Sequence, residues 1–517
     1  MAFDSSYFGS LLMRGREDDL KKVLKETFEP GSGAAGLKYS TAPRVCHTFA
    51  YKRGKFPDGL LGPAVVFWNG VGGTKTRQVL IHLHPSIFVE TWNELLPYVT
   101  ELNTSLLDCR NEMGSIDVLG PSSTETLQNL LLPRDLASKE SQVWRGVSGT
   151  RPESLPVGFS LALSVRDPRH RFQTHKMKFE SSRGVIEGAD NLISVELFDT
   201  DRRRASVEEQ ESQSSVNKRK QRTPGLDLEM RPGSLGIPVF VFKRAGQGWT
   251  VLMPWAWVLP FWIKIVHIQD VKPGGLAQAQ QLGQELGSGH FPNDWLGTLA
   301  GDRIQDMNAD QRLETWKKKP KAKRTTFDSL TIDAKRSGEH GDPFRCDWTA
   351  VFQSREGGNP LHPQLLSPAG VKALIGLDAE GELFERGVIR IRLQLVGRGT
   401  PQDCARIYLV PPEQRTEWLK QGRRGIPMDP HSVRLAFFVT NTSLHVRPST
   451  SSSGSWLLGI TTCDVAAETQ LQLCLLPSCA AWEPKIITSL CEMWAVLLAG
   501  WRTGRTSPKP SRAAQPA

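Results

Sequence analysis

An α+β fold built on a repeated strand-helix unit is predicted by three observations. Around Gly15 and again around Gly120 a short strand runs into glycine, and a helix with leucines on one side follows. Strand-like runs at 63–68 (PAVVFW) and 77–84 (RQVLIHLH) flank a glycine-rich turn and predict a hairpin. Further strand-rich blocks recur at 237–242, 249–253, 388–396, 405–410 and 432–439. The two strand-helix copies read as ferredoxin-like halves of a duplication, or as chance recurrence of a common signal.

The elements follow in chain order. Ser10 to Met13 ends a strand, and Asp18 to Phe28 is a helix, with Leu20, Val23, Leu24 and Phe28 at helical spacing behind the acids Glu17, Asp18 and Asp19. After the hairpin, Pro85 opens a helix through Leu96, and His82 and His84 share one strand face. Without a third ligand nearby, those histidines read as packing or as a cap for the helix at Pro85, ahead of a metal pair. Ser115 to Leu132 holds the second strand and helix.

Residues 203–236 turn to Arg, Glu, Ser, Gln and Lys with few apolar side chains, which predicts a disordered linker. A second, basic linker is predicted over 316–358. The resulting division is an α+β unit at 1–202, a compact unit at 237–315, a strand-rich unit at 359–465 and a tail at 466–517.

Composition narrows the function classes. Across 517 residues, 64 Lys and Arg against 54 Asp and Glu give a formal charge of +10, which favours a polyanionic partner. Eight scattered cysteines form no C-x-x-C pair, so neither a disulfide framework nor a structural zinc site is expected, and an intracellular setting fits. The N-terminus lacks a signal-peptide pattern, and the apolar run at 486–500 falls short of a span, so no membrane partner is expected.

Catalytic motifs are missing from the pattern. GVGGTKT at 70–76 departs from the phosphate-loop spacing because Thr74 precedes Lys75, and no G-x-S-x-G, H-E-x-x-H or G-x-G-x-x-G occurs. No catalytic residue, metal ligand or cofactor is therefore assigned. Candidate RNA contacts are basic: Arg166, Arg169 and Arg171 around Asp167; Lys218, Arg219, Lys220 and Arg222; and Lys317, Lys318, Lys319, Lys321, Lys323 and Arg324. For the turn at Asp167 the rival reading is a salt-bridged turn, and for the two runs it is solvated linker charge or a nuclear import signal. Five tryptophans between 249 and 298 read as buried core or as a stacking platform for bases.

The same tryptophan-rich block carries a resemblance. Pro254, Trp257, Pro260, Phe261 and Trp262, then Gly274, Gly275 and Leu276, then Phe291, Pro292, Asp294 and Thr298 resemble the motif of the POPLD domain family, the largest "processing of precursors" protein subunits of ribonuclease P and ribonuclease MRP. The blocks DSSY at 4–7, LGPAVVFW at 61–68, RQVLIHLHPSIF at 77–88, VLGPSSTETLQNLL at 118–131, SVRDPR at 164–169, LFDTDRR at 197–203, CARIYLV at 404–410 and LLGITT at 457–462 follow in family order.

The resemblance implies a scaffold rather than a catalyst, one that wraps ribonuclease P or MRP RNA in the nucleus and nucleolus and recruits smaller protein subunits. The RNA then cleaves precursor tRNA or precursor rRNA. It implies a fold similar to the glycine-cleavage T protein, an aminomethyltransferase-like architecture, and a structural role for the Pro, Gly and Trp positions of the motif. The family's basic N-terminal region has no counterpart here, and the tail after Thr462 departs from the family pattern, so a shortened version is expected. Two rivals stand beside this reading: a folate-dependent one-carbon transferase or tRNA-modifying enzyme of similar fold, and a generic nucleolar RNA-binding protein.

Overall fold

The structure is a computed structural model that describes residues 1–70, 76–171, 195–231, 233–286 and 289–324, and beyond them 331–333, 336–337, 342–346, 363–370, 373, 387–394, 406–409, 434–440, 443–446, 458–459 and 470–475. Its first half contains β1 (Ala2–Asp4), β2 (Gly9–Arg16), α1 (Glu17–Thr27), α2 (Leu37–Ser40), β3 (Val45–Tyr51), β4 (Leu60–Asn69), β5 (Thr76–Leu83), α3 (Pro85–Leu95) and α4 (Pro97–Glu101). The second contains β6 (Ser105–Asp108), β7 (Met113–Val118), α5 (Ser123–Leu130), α6 (Lys139–Gly146), β8 (Ser160–Val165), α7 (Thr200–Glu208), α8 (Gln213–Arg222), β9 (Ile237–Lys243), β10 (Trp249–Pro254) and α9 (Trp255–Val266). Then come β11 (Pro273–Gly274), α10 (Leu276–Glu285) and α11 (Leu299–Lys318).

The α+β class holds, and the repeat is wider than the strand-helix unit read from Gly15 and Gly120. One sheet has the order β3-β4-β5-β2-β6 and the other the order β8-β9-β10-β7-β1-β11. Each half is therefore a strand, a helix, an antiparallel three-strand meander that returns to the first strand, and a closing helix. The lead strands are exchanged: β6 pairs with β2, and β1 pairs with β7, both antiparallel.

Alternating side chains give each sheet two buried faces. Leu20, Val23 and Leu24 of α1 and Ile87 and Phe88 of α3 cover one face of the first sheet together with Leu11, Met13 and Val66. Leu127 and Leu130 of α5, Trp144 of α6 and Trp257 and Phe261 of α9 cover the second sheet over Val239, Val241, Trp249 and Val251. Between the sheets lie Leu12, Phe67 and Leu80 from one side and Phe240, Phe242 and Leu252 from the other, with Leu197 and Phe198 wedged in. The rings of Phe67 and Phe240 are 4.5 Å apart, so the two sheets share a packed middle layer.

Three expectations are corrected. The units placed at 1–202 and 237–315 are not separate, because β7 pairs with β10 and β8 with β9 in one sheet. Residues 203–236 are not a disordered linker, since they hold most of α7 and all of α8. Low hydrophobicity misled here: Asp199 Oδ1 accepts from the Asp201 and Arg202 backbone N–H groups, Ser212 Oγ accepts from Ser215 N–H, and buried polar contacts hold both helices. The start of the linker at 316 likewise falls inside α11, which ends at Lys318, and most of 325–358 lies outside the described residues. Farther on, strands at Gln364–Leu366, Gly387–Gln394, Arg406–Leu409, Arg434–Thr440, Ser443–Val446, Leu458–Gly459 and Gln470–Leu475 belong to a seven-stranded sheet. The turn at 71–75 and nearly all of the tail at 466–517 lie outside the described residues.

Candidate nucleic-acid interface

The helix α9 forms because Pro254 sets the backbone at its N-cap and the run WAWVLPFWIKIV keeps apolar residues on two faces. Trp257 and Phe261 face the core, at 4% and 0% exposure, and Trp262 is partly buried against it. Pro260 sits within the helix, while Trp255 is 40% exposed beside it. The Trp257 indole N–H donates to the backbone oxygen and the hydroxyl of Ser206, both at 3.1 Å, and so ties α7 to α9. Gln210 adds a 3.2 Å bond from its side-chain amide to the Ala256 carbonyl.

The remaining motif residues shape the chain around α9. Gly274 lets β11 approach Phe3, whose ring lies where a Cβ would stand, and the Gly275 N–H donates to Gln278 Oε1 at 3.0 Å. Phe291, which precedes Pro292 through a cis peptide bond, lies over Gly62 of β4 and edge-on to His84 at 5.2 Å. Asp294, 1% exposed, accepts from the His290 N–H at 2.7 Å, and the Thr298 hydroxyl caps α11 through the Gly301 N–H. His84 caps α3 through the Ser86 N–H, and the His82 ring shares a 3.0 Å hydrogen bond with the Ser10 hydroxyl, so neither histidine stands free as a ligand.

The basic helix α8 is docked by one carboxylate that the sequence reading passed over. Glu211, with a side chain 5% exposed, accepts from Arg219 at 2.8 Å, Arg231 at 2.7 Å and the Ser215 hydroxyl at 2.5 Å, and lies 3.3 Å from His170 Nε2. Burial alone would raise its carboxyl, but hydrogen bonds from Ser215, Arg219 and His170 outweigh that and hold it at about 2. Val216 packs inward from α8.

Arg169 lies at the same junction. Its guanidinium forks onto Asp167 at 2.7 to 3.1 Å, donates to the Glu211 carbonyl at 2.7 Å and lies 5.4 Å from the centre of the Trp257 ring. Arg171, 8% exposed, donates to the Asn129 carbonyl at 2.6 Å, and burial lowers its pKa. The turn at Asp167 is thus built from internal bonds: Asp167 caps it through the Arg169 N–H. Arg169, Arg171 and Arg219 serve as internal clamps, whereas Arg166, Lys218 and Arg222 are exposed and Lys220 is half-buried.

Lys264 of α9 extends this cationic face. Its ammonium donates to the Arg171 carbonyl at 2.8 Å, and its pKa is lowered by burial first and then by the neighbouring charges of Lys220 and Arg171. Asp227 is the neighbouring anion that offsets part of this charge. Lys264 was missed because it lies in an apolar helix, and Glu211 because a single acid in a polar stretch carries no spacing signal.

The second basic run has another form. Lys317 and Lys318 end α11, where cations complement the helix dipole, and Lys319, Lys321 and Lys323 are exposed. Arg324 folds back over the Trp316 ring at 5.3 Å and donates to the Lys319 carbonyl at 2.8 Å, closing a hook. Thr331–Asp333 and Arg336–Ser337 form a small hairpin beyond it.

Comparison with known proteins accords with these motifs. Residues 248–348 match the POPLD (NUC188) domain. It is 25% identical over 436 residues to the Ribonucleases P/MRP protein subunit pop1 of Schizosaccharomyces pombe, covering 81% of this chain and 57% of that one. It is 27% identical over 564 residues to the Ribonucleases P/MRP protein subunit POP1 of Saccharomyces cerevisiae, covering 86% and 62%. The human protein of that name is 26% identical over 480 residues, with 68% and 46% covered. The chain spans about half the length of these curated relatives, between 46% and 62%. Among solved structures, the glycine cleavage system aminomethyltransferase T of Bartonella henselae is similar with a TM-score of 0.31 and 11% identity, covering 62% of this chain and 63% of that one. The heterotetrameric sarcosine oxidase of Corynebacterium is similar with a TM-score of 0.26 and 11% identity, covering 53% and 86%.

Proposed function

We propose that this chain is an RNA-binding scaffold of the ribonuclease P and MRP ribonucleoproteins. The observation that carries the reading is the basic helix α8 docked by Glu211 and Arg169 against Trp257, the central tryptophan of the POPLD motif. Lys218, Lys220, Arg222 and Lys264 grip an RNA backbone, joined by Arg166, and the lysines from 317 to 323 make a second contact. The scaffold positions smaller protein subunits and leaves phosphodiester cleavage to the RNA. It thereby serves 5′-leader removal from precursor tRNA and precursor rRNA processing in the nucleus and nucleolus.

The packed middle layer weighs against the enzyme alternative. Phe67, Phe198 and Phe240 fill the space between the two sheets, so a ligand pocket is not formed there. Titration of the protein with folate is expected to give no binding.

The test is recovery of RNA with the tagged full chain, combined with its depletion. Ribonuclease P or MRP RNA is expected in the recovered particle, and 5′-extended precursor tRNA is expected to accumulate on depletion. Recovery of neither RNA would overturn the scaffold reading, and unchanged tRNA maturation would leave a generic nucleolar RNA-binding protein.

A further inference from the structure

The exchanged lead strands β1 and β6 hold equivalent places in the two sheets, yet among the described residues only β1 has a covered outer edge. β11 runs parallel along β1, with Ala2 opposite Pro273 and Phe3 opposite Gly274, and the Ala2 N–H donates to the Lys272 carbonyl at 2.9 Å. β6 ends its sheet, and no described residue pairs with its far side. The Cys109 N–H donates to the Ser10 carbonyl at 2.9 Å, so the antiparallel alternation turns the backbone of Ser105 and Leu107 toward β2. The N–H and C=O groups of Leu106 and Asp108 therefore point outward.

A groove of about 320 Å³ runs beside that edge, lined by Phe88, Val89 and Trp92 of α3 with Asp108 and Arg110. Val89 is 54% exposed and Leu107 39% exposed, so apolar surface flanks the open backbone on both faces. Arg110 lies over Phe88 at 4.3 Å and spends its charge on Asp108 at 2.6 Å. Arg14, exposed beside Ser105, has only a 3.5 Å contact to the Thr76 hydroxyl and no carboxylate partner among the described residues.

We propose that the β6 edge accepts an extended segment of a smaller protein subunit as an added sheet strand. The segment runs parallel to β6, as β11 runs along β1, and sets apolar side chains in the α3 groove and a carboxylate beside Arg14. This rests on the reading of the chain as a ribonucleoprotein subunit. A second copy related by a twofold axis would pair β6 with β6 antiparallel, against the precedent of the other sheet.

The test places the photo-cross-linker p-benzoylphenylalanine at Val89 in the full chain and irradiates the affinity-purified particle. Hydrogen exchange of the Leu106 and Asp108 amides is compared between particle and free chain. An adduct to one continuous segment of a smaller subunit, containing an acidic residue, is expected, with both amides slowed at least about tenfold. Val89→Arg fills the exposed groove, and Leu106→Pro removes an outward N–H where an edge strand tolerates proline. Each is expected to cut recovery of that subunit about tenfold, worth roughly 1.4 kcal/mol, while Leu37→Arg, an exposed control site, leaves it unchanged. Adducts only to RNA, to this chain or to a second copy, or amides that stay fast, would overturn the proposal. Ribonuclease P or MRP RNA in the same particle without an adduct defeats this inference alone, whereas an adduct without that RNA defeats the ribonucleoprotein reading.

Discussion

In the first half the closing helix α3 begins at Pro85 and returns through α4 to a single edge strand, with His84 as its cap. In the second half the closing helix α9 follows the same meander, but α7 and α8 are inserted between β8 and β9 and packed onto it by Ser206, Gln210 and Arg169. The plan is common, and the basic helix belongs to one half only. One copy of a duplicated unit serves as platform while the other carries the added charge, and the middle layer of phenylalanines binds the two.

The largest effect is expected from breaking that middle layer. Phe240→Ala should cost about 3 to 5 kcal/mol, because the cavity opens onto both sheets and neither can close it alone. Calorimetry is expected to show one transition moved down as a whole; loss of the second half with the first intact would show that the halves are independent.

Glu211→Ala sharpens the contrast next. It leaves the largely buried Arg219 and His170 without their carboxylate and frees the exposed Arg231, and the loss is on the order of 3 kcal/mol. Hydrogen exchange should speed along α8 and leave β2 and β5 unchanged. Equal speeding in both halves would refute the local role of the carboxylate.

Acid should separate the halves by pH window. In the first half, burial pushes His47, His82 and His84 each down to about 4 from an ordinary 6.5, so the folded state binds fewer protons than the unfolded chain. Their contribution is complete above 6.5 and is lost as pH falls toward 4. Glu211, held at about 2 against 4.5, contributes fully above 4.5 and is lost as pH falls toward 2. Burial also lowers His170 beside Glu211, so α8 should lose part of its protection in the histidine window and the rest only as Glu211 takes up its proton. The β5 amides respond in the histidine window alone, and no further loss in α8 below pH 4.5 would contradict the Glu211 assignment. The smallest effect is Ser212→Ala, which removes the α8 cap for about 1 kcal/mol and should lower protection of its first turn alone.

How far these differences were legible depends on what sets each element. β4, β5, α1, α3 and the strand-helix pair after Ser115 are fixed by apolar periodicity and by Pro or Gly at their ends, and the sequence reading placed them within a few residues. α7 and α8 carry almost no apolar stripe and are held by Glu211, Arg203 and Trp257 across long sequence separations, so local pattern could not reveal them. The same holds for the exchange of β1 and β6, which only pairing partners define. At the candidate interface the basic residues were legible as types. Which of them are clamps depends on Glu211 and Asp167, and that is a matter of packing.

The central claim is that Lys218, Lys220 and Arg222 of α8 hold RNA backbone. Binding of the full chain to ribonuclease P RNA, measured across salt concentrations, tests it by comparison with a triple variant carrying Lys218→Gln, Lys220→Gln and Arg222→Gln. Each phosphate contact contributes about 0.7 to 0.9 to the slope of log affinity against log salt, so the triple variant should flatten the slope by about 2 to 3. An unchanged slope with unchanged affinity would contradict the account.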